Sequence, residues 1–428
     1  MSRLPTGNLR LDDFDRQLLQ PGAKGLPLTA PVPQADVAAQ NWNILDASVS
    51  YPVAVLRASA LEHNLDWMRR FCAHFGVQLA PHGKTTMSPQ LFGAQLANGA
   101  WGLTLANVPQ TQVAYRIGVR RVIIANQVVA PADLAALATL MGSDPSFECW
   151  VLADSEEGVA RLAAAFAGLD RPLPVLIELG LPGKRAGCRT QEEALAVSRA
   201  LQSAPALRLA GVEGYEGLTD AAGVPAFVDR MLALLRELDA RGAFGEDEVI
   251  ISAGGSAYFD LVARGLAHGA GLTRAVLPIL RSGCYLTRDH CHYFDAIAEL
   301  DARTPVLDGP GLQPALEVWS MVQSTPEPGL AILTMGKRDA SYDMDLPLPL
   351  YWHRPGAGGA GPTSVQGWEI FKMNDQHAYL RLPPGAEVRV GDLIGCGISH
   401  PCTTFDKWQH LLLVDDSYHV TGIVNTVF

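Results

Sequence analysis

The sequence predicts an α/β chain, a (β/α)8 TIM-type barrel followed by a second, β-rich domain. Three observations lead there. Between about residues 50 and 302, short apolar runs alternate with longer stretches of Ala/Leu helical spacing. About eight such units occur, the number that closes a barrel of roughly 250 residues. Near residue 303 the texture changes, and strand-like runs then follow one another without long helices between them. An open doubly wound sheet is the runner-up architecture.

Residues 1–50 are mixed in character and rich in Pro and Gly, with a short helix expected within Arg10–Leu19. They read as an N-terminal extension packing on the other domains. The barrel is placed at 51–302. It opens on the apolar run Tyr51–Leu56 and a helical pattern that starts at Ser59 and continues through Leu61, Leu65, Met68 and Cys72. Strands are expected near Val77–Ala80, Gly102–Ala106, Arg121–Ala125, Phe147–Ala153, Pro174–Leu179, Leu207–Val212, Glu248–Ser252 and Ala275–Leu280. Between them lie helical segments such as Ala132–Met141 and Ala226–Leu238. This alternation implies parallel strands with right-handed crossovers. The β-rich domain is placed at 303–428, with strands near Val318–Gln323, Ala331–Met335, Ala378–Leu382 and Leu411–Val414. Turn residues at Pro383-Pro384-Gly385 and Gly391-Asp392 punctuate it, and Pro355–Gly361 is a Gly-rich loop.

Of the 428 residues, 48% are apolar and 18% charged, which suits a chain with a large core. A formal charge of -11 argues against nonspecific binding to nucleic acid or anionic membrane. The first residues show no apolar signal core, and no apolar run is long enough to span a bilayer. Seven scattered cysteines read as reduced thiols in a cytoplasmic protein.

Barrels place their chemistry at the C-terminal ends of the strands, so the residues after each strand matter most. After the first comes Ala80-Pro81-His82-Gly83-Lys84-Thr85-Thr86. A partly desolvated lysine at a barrel mouth has a lowered pKa and is a usable nucleophile; the bland alternative is a solvated loop lysine. After the seventh comes Gly254-Gly255-Ser256, whose amides and hydroxyl suit an anion. After the eighth come Arg281, Gly283, Cys284 and Tyr285. Phosphate sites in such barrels often follow strands seven and eight. In the second domain, His400 and Cys402 stand two apart. On an extended segment they would face one ion together, and imidazole with thiolate suits zinc. Asp339, Asp343 and Asp345 read as a solvated turn, with a cation site as the alternative. Asn374-Asp375-Gln376-His377 reads as a turn before a strand. His290 and His292 flank Cys291, with no second motif in support.

Taken together, Pro81-His82-Gly83-Lys84-Thr85 and His400-Pro401-Cys402-Thr403-Thr404-Phe405-Asp406 resemble the fold-type III, alanine racemase-like pyridoxal-phosphate enzymes. Within them the chain resembles the D-serine dehydratase and D-threonine aldolase group, over about residue 50 to the C-terminus. The resemblance implies that Lys84 holds the cofactor and moves the substrate α-proton. It implies that Gly254, Gly255 and Ser256 hold the phosphate with help from Gly283, Cys284 and Tyr285. It places Arg185 near the cofactor's phenolic oxygen, and either Arg281 or Tyr215 at the pyridine nitrogen. It makes His400 and Cys402 the ligands of Zn2+.

The activity implied is dehydration of D-serine, or a related β-hydroxy D-amino acid, to a 2-keto acid and ammonia. Retro-aldol cleavage to glycine and an aldehyde is the alternative. A third is a hydroxyaspartate substrate, whose extra carboxylate Lys337 or Arg338 would face. The aldolases carry Asp at the second metal position, so the thiolate favours the dehydratase branch. A non-enzymatic pyridoxal-phosphate carrier is the remaining alternative, and the second domain argues against it. A homodimer is implied by the same resemblance.

Overall fold

The computed structural model describes residues 4–267, 271–290, 307, 309–357 and 361–428. Eight parallel strands run Gln78–Leu79, Leu103–Leu105, Arg121–Ile124, Glu148–Ala153, Leu173–Leu179, Leu207–Gly214, Glu248–Ala253 and Ala275–Leu280. From the second strand onward each pairs with the next, and the eighth pairs with the first at Ile279–Gln78 and Leu280–Leu79. The first and second strands meet through a bridge between His82 and Thr104, with Thr104 N donating to Pro81 O at 2.9 Å. The sheet therefore curls round on itself as a barrel, and the open alternative is set aside.

The apolar runs are visible in sequence because these strands are buried on both faces. All seven residues of Leu173–Leu179 are buried. The barrel interior is filled by a layer that includes Ile123, Trp150, Leu152, Leu176, Ile250 and Ile279. Outside it pack helices such as Ala58–Phe75, Pro131–Ser143 and Val224–Ala240. Local chemistry sets their ends. Asn107 and Ser155 cap the helices that follow them, and Thr190 with Glu193 forms a capping box.

The second sheet is built mainly on the long strand Leu316–Glu327, flanked by Leu393–Gly397 and Leu330–Leu333. Val53–Arg57, expected at the entrance to the barrel, lies in this sheet. It is antiparallel to Leu316–Glu327 and parallel to His410–Val414. The N-terminal helix covers only Asp12–Arg16, and Leu18–Leu19 then pairs with Val32–Pro33. Leu19, Leu26, Val37 and Ile44 pack against Val53, Trp319 and Leu412 of the second sheet.

Asn374–His377 is a turn, as expected, between Glu369–Met373 and Ala378–Arg381. Cys291, His292, the boundary near 303 and the centre of the Pro355–Gly361 loop lie outside the described residues. Among the described residues no helix is long and apolar enough to cross a membrane.

Candidate active site

Lys84 stands on the one-turn 3-10 helix Gly83–Thr85, which begins directly after the first barrel strand. The turn is tightly packed. A Cβ on Gly83 would come within 2.8 Å of Leu105 and 2.9 Å of Phe92. The loop after the eighth strand closes on it, since a Cβ on Gly283 would lie 2.5 Å from the His82 carbonyl oxygen. Glycine at 283 is thus what lets the two loops touch. The Lys84 side chain reaches the open mouth, but dense surroundings lower its pKa through desolvation. Arg185 and Arg281 push it further down, against the opposing pull of Cys402 and Cys284. His82 beside it is held neutral, its pKa well below the usual value through burial and the nearby positive charges.

The metal-type pair reaches the same mouth. Cys402 Sγ lies 3.6 Å from Thr85 Oγ1, one residue from Lys84, and 3.9 Å from Cys284 Sγ. Cys284 stays a thiol and donates to Cys402, whose pKa falls to about 4 through that bond, with further help from His400 and Thr85. His400 rises to about 9, chiefly through its hydrogen bond with Cys402, with Asp343 as the second partner. Asp343 Oδ2 holds His400 Nδ1 at 2.6 Å, and Thr403 Oγ1 donates to Asp343 Oδ1 at 2.7 Å. The carboxylate fixes the ring by Nδ1 and so orients it towards Cys402.

The pair does not sit on an extended segment. The strand ends at Gly397, Pro401 is α-helical, and Cys402 opens the short helix Cys402–Phe405. Among the described residues no three His, Cys, Asp or Glu side chains are grouped for one ion. Among the described residues the imidazole and the thiolate stand as a pair, the kinds of donor that zinc takes. Asparagine at Asp343 is expected to weaken zinc binding about 10- to 100-fold, measurable by competition with a chromogenic chelator.

The three aspartates therefore do different things. Asp339 is buried, not solvated, and its Oδ1 takes Lys24 Nζ of the N-terminal extension at 2.7 Å. Asp345 N is bonded to Ser399 Oγ at 3.3 Å.

Deeper in the barrel, Arg281 is held by Glu213 at 2.6 Å and donates to Gly214 O at 2.8 Å, both side chains being nearly inaccessible. Arg185 lies over the Tyr215 ring at 4.6 Å. Glu178 is pushed up to about 7 by burial and by the neighbouring Glu213, against its hydrogen bond from Gln127. The Ser256 hydroxyl is bonded to Cys284. Tyr285 turns its phenol to Gln95, so that face of the loop offers its backbone only. The Gly254 and Gly255 amides donate to the carboxylate of Glu216.

Glu178, Glu213 and Glu216 did not emerge from sequence reasoning, and Thr85 and Asp343 were named without the contacts they make here. For Glu178 and Glu213 a signal existed, a lone carboxylate inside an otherwise apolar strand. Glu213→Ala is expected to cost about 3–5 kcal/mol, because it leaves Arg281 buried and unpaired. A denaturant midpoint series measures that loss.

Two family descriptions match the chain. "Alanine racemase, N-terminal domain" covers residues 56–272, and "Putative serine dehydratase domain" covers 315–414. The chain belongs to the alanine racemase N-terminal domain family, and so to the fold-type III pyridoxal-phosphate barrels.

Its relatives place it more narrowly. It is 25% identical over 394 residues to D-threonine aldolase of Arthrobacter sp, covering 89% of this chain and 92% of that one. It is 26% identical over 311 residues to 3-hydroxy-D-aspartate aldolase of Paracoccus denitrificans, covering 71% and 76%. Among solved structures, D-threonine aldolase from Filomicrobium marinum superposes with a TM-score of 0.71 at 23% identity, over 89% of this chain and 96% of that one. D-threo-3-hydroxyaspartate dehydratase from Delftia sp. HT23 gives 0.69 at 19%, over 90% and 99%. These two structures share the fold. The relatives do not single out the D-serine dehydratases.

Proposed function

We propose that this protein is a pyridoxal-phosphate-dependent lyase of D-amino acids that removes a β-hydroxyl, giving a 2-keto acid and ammonia. The observation that carries the reading is the contact between Thr85 and Cys402. It brings the Lys84 amine and the His400–Cys402 pair to one mouth, where both reach a single small substrate.

The residues present fit the cofactor. Lys84 is an amine with a lowered pKa at the end of a barrel strand. Arg185 and Tyr215 line the mouth beside it, and Arg281 lies beneath. Ser256 and the backbone of Gly283, Cys284 and Tyr285 would hold its phosphate. Bound there, pyridoxal phosphate supplies an electron sink for the bond broken at Cα. Zinc on His400 and Cys402 supplies Lewis acidity to the substrate β-hydroxyl.

The chain's own residues do the rest. Lys84, its pKa lowered by its surroundings, takes the α-proton. Asp343 keeps His400 turned to the ion. Glu213 holds Arg281 in place. A thiolate ligand suits zinc over the harder ions, which favours elimination of hydroxide. The names of the relatives favour the second reading, retro-aldol cleavage at the same hydroxyl to glycine and an aldehyde. A homodimer in the cytoplasm belongs to the same reading.

Product analysis with D-serine and D-threonine, before and after chelation, tests the choice. Keto acid from D-serine that stops on chelation and returns with zinc is the expected result. Glycine released from D-threonine, with no keto acid from D-serine, replaces dehydration by aldol cleavage. Neither product from a yellow, metal-loaded protein overturns both.

A further inference from the structure

The Gly254-Gly255 turn is the natural anion nest of this barrel, yet the chain has filled it. Glu216 follows Tyr215 after the sixth barrel strand and is fully buried. Its Oε2 accepts from Gly254 N at 2.9 Å and its Oε1 from Gly255 N at 2.6 Å. The carbonyls of the turn are held as well, because the buried Ser282 hydroxyl contacts Gly254 O at 2.9 Å and Gly255 O at 3.2 Å. Gly254 has a φ of +93°, a conformation that strains any side chain. A Cβ on Gly255 would lie 2.5 Å from the Tyr215 ring and 3.3 Å from Glu216 Oε1. The turn is thus pinned from behind at both amides and both carbonyls.

Two anions cannot share one pair of amides. A phosphate at the mouth either displaces Glu216 or binds in front of a turn that Glu216 keeps. Displacement would push a carboxylate out of two charge-assisted hydrogen bonds and leave it in a dry interior beside a second anion, a heavy desolvation cost. Retention costs nothing of that kind, and leaves Ser256 and the backbone around Gly283 and Cys284 facing the mouth.

We infer that Glu216 is a positioning residue, a strut that fixes the Gly254-Gly255 turn so that Ser256 and the neighbouring loop present a rigid phosphate cradle. The inference rests on the cofactor reading above. It moves the phosphate from the Gly254 and Gly255 amides to the residues those amides hold in place. The carboxylate needs both oxygens for this task. Glutamine can accept from only one amide, and its own amino group then faces the other.

The test compares apo-protein binding of pyridoxal phosphate with that of pyridoxal, which lacks the phosphate, by absorbance titration. In Glu216→Gln the dissociation constant for pyridoxal phosphate is expected to rise roughly 10- to 100-fold, the range for losing one hydrogen bond to a charged group. The constant for pyridoxal should move less than about threefold, since only the phosphate contacts are loosened. A merely structural residue would weaken both ligands alike. Equal changes, or none, overturn the inference. Tighter binding of pyridoxal phosphate also overturns it, because the carboxylate would then be a competitor. If Glu216→Gln fails to fold, as judged by circular dichroism, Ser282→Ala loosens the carbonyl side of the turn and must show the same phosphate-selective loss. A wild-type protein that binds neither ligand sinks the cofactor reading instead, so the two failures are told apart.

Discussion

Lys84→Ala is expected to leave a colourless protein whose turnover is lower by at least about 10³-fold. The size follows from the two tasks that converge on one amine. It is the nucleophile that would hold the cofactor, and removing a positioned proton-transfer group alone typically loses 10²- to 10⁴-fold. Its lowered pKa comes from desolvation and from two guanidinium groups, so the surroundings disfavour the ammonium form at that point. Arginine at 84 keeps a charge but cannot deprotonate, and should be as inactive as alanine. Lys184, exposed on the loop after the fifth barrel strand, is the control; its alanine variant should keep colour and rate. Visible absorbance and single-turnover assays read both. A Lys84→Ala protein that remains yellow and active removes the central assignment.

The second large effect is expected at Cys402. Its pKa is drawn down to about 4 by its bond to Cys284, by His400 and by Thr85, which favours the thiolate, the form that would bind a metal. Cys402→Ala leaves His400 as the one strong donor of the pair, and zinc content should fall below one-tenth of wild type. D-serine dehydration should fall about 10²- to 10³-fold with it. Cys402→Asp is more informative, because an oxygen donor should shift the preferred ion from zinc towards manganese. If aldol chemistry needs the harder ion, glycine release should rise relative to keto acid in that variant. Full dehydratase activity in a metal-free Cys402→Ala protein would remove the metal from the reading altogether.

The barrel was legible because burial on both faces writes strands as plain apolar runs. The first strand, expected near Val77–Ala80, occupies Gln78–Leu79, and the eighth has its expected bounds. The second sheet was less legible for two reasons. Leu348–His353 and the edge strand Glu369–Met373 are mostly exposed or half-buried and carry no clean alternation. Leu393–Gly397 is fully buried but contains two glycines, which carry no side chain to mark a strand. Those glycines are contacts in disguise. A Cβ on Gly395 would lie 2.6 Å from the Trp319 ring, and one on Gly397 would lie 2.3 Å from His290.

At the site, Lys84, His400 and Cys402 were visible as motifs. Their supports were not, because Glu216, Asp343 and Thr85 act across sequence distances that no local pattern records. The spacing argument for His400 and Cys402 assumed a strand where Pro401 begins a helical turn, although the two side chains meet all the same.

The placement of Val53–Arg57 between Leu316–Glu327 and His410–Val414 has a consequence for biosynthesis. The whole barrel is an insertion within the β-rich unit, bracketed by a strand made early and strands made last. On the ribosome the barrel can close while that early strand still lacks both neighbours. Until Leu316–Glu327 and then His410–Val414 emerge, the unpaired backbone edges of Val53–Arg57 stay open to any passing chain. Truncation after the last barrel strand, Ala275–Leu280, but before His410 should therefore yield an aggregating product with an intact barrel, not a soluble half-enzyme.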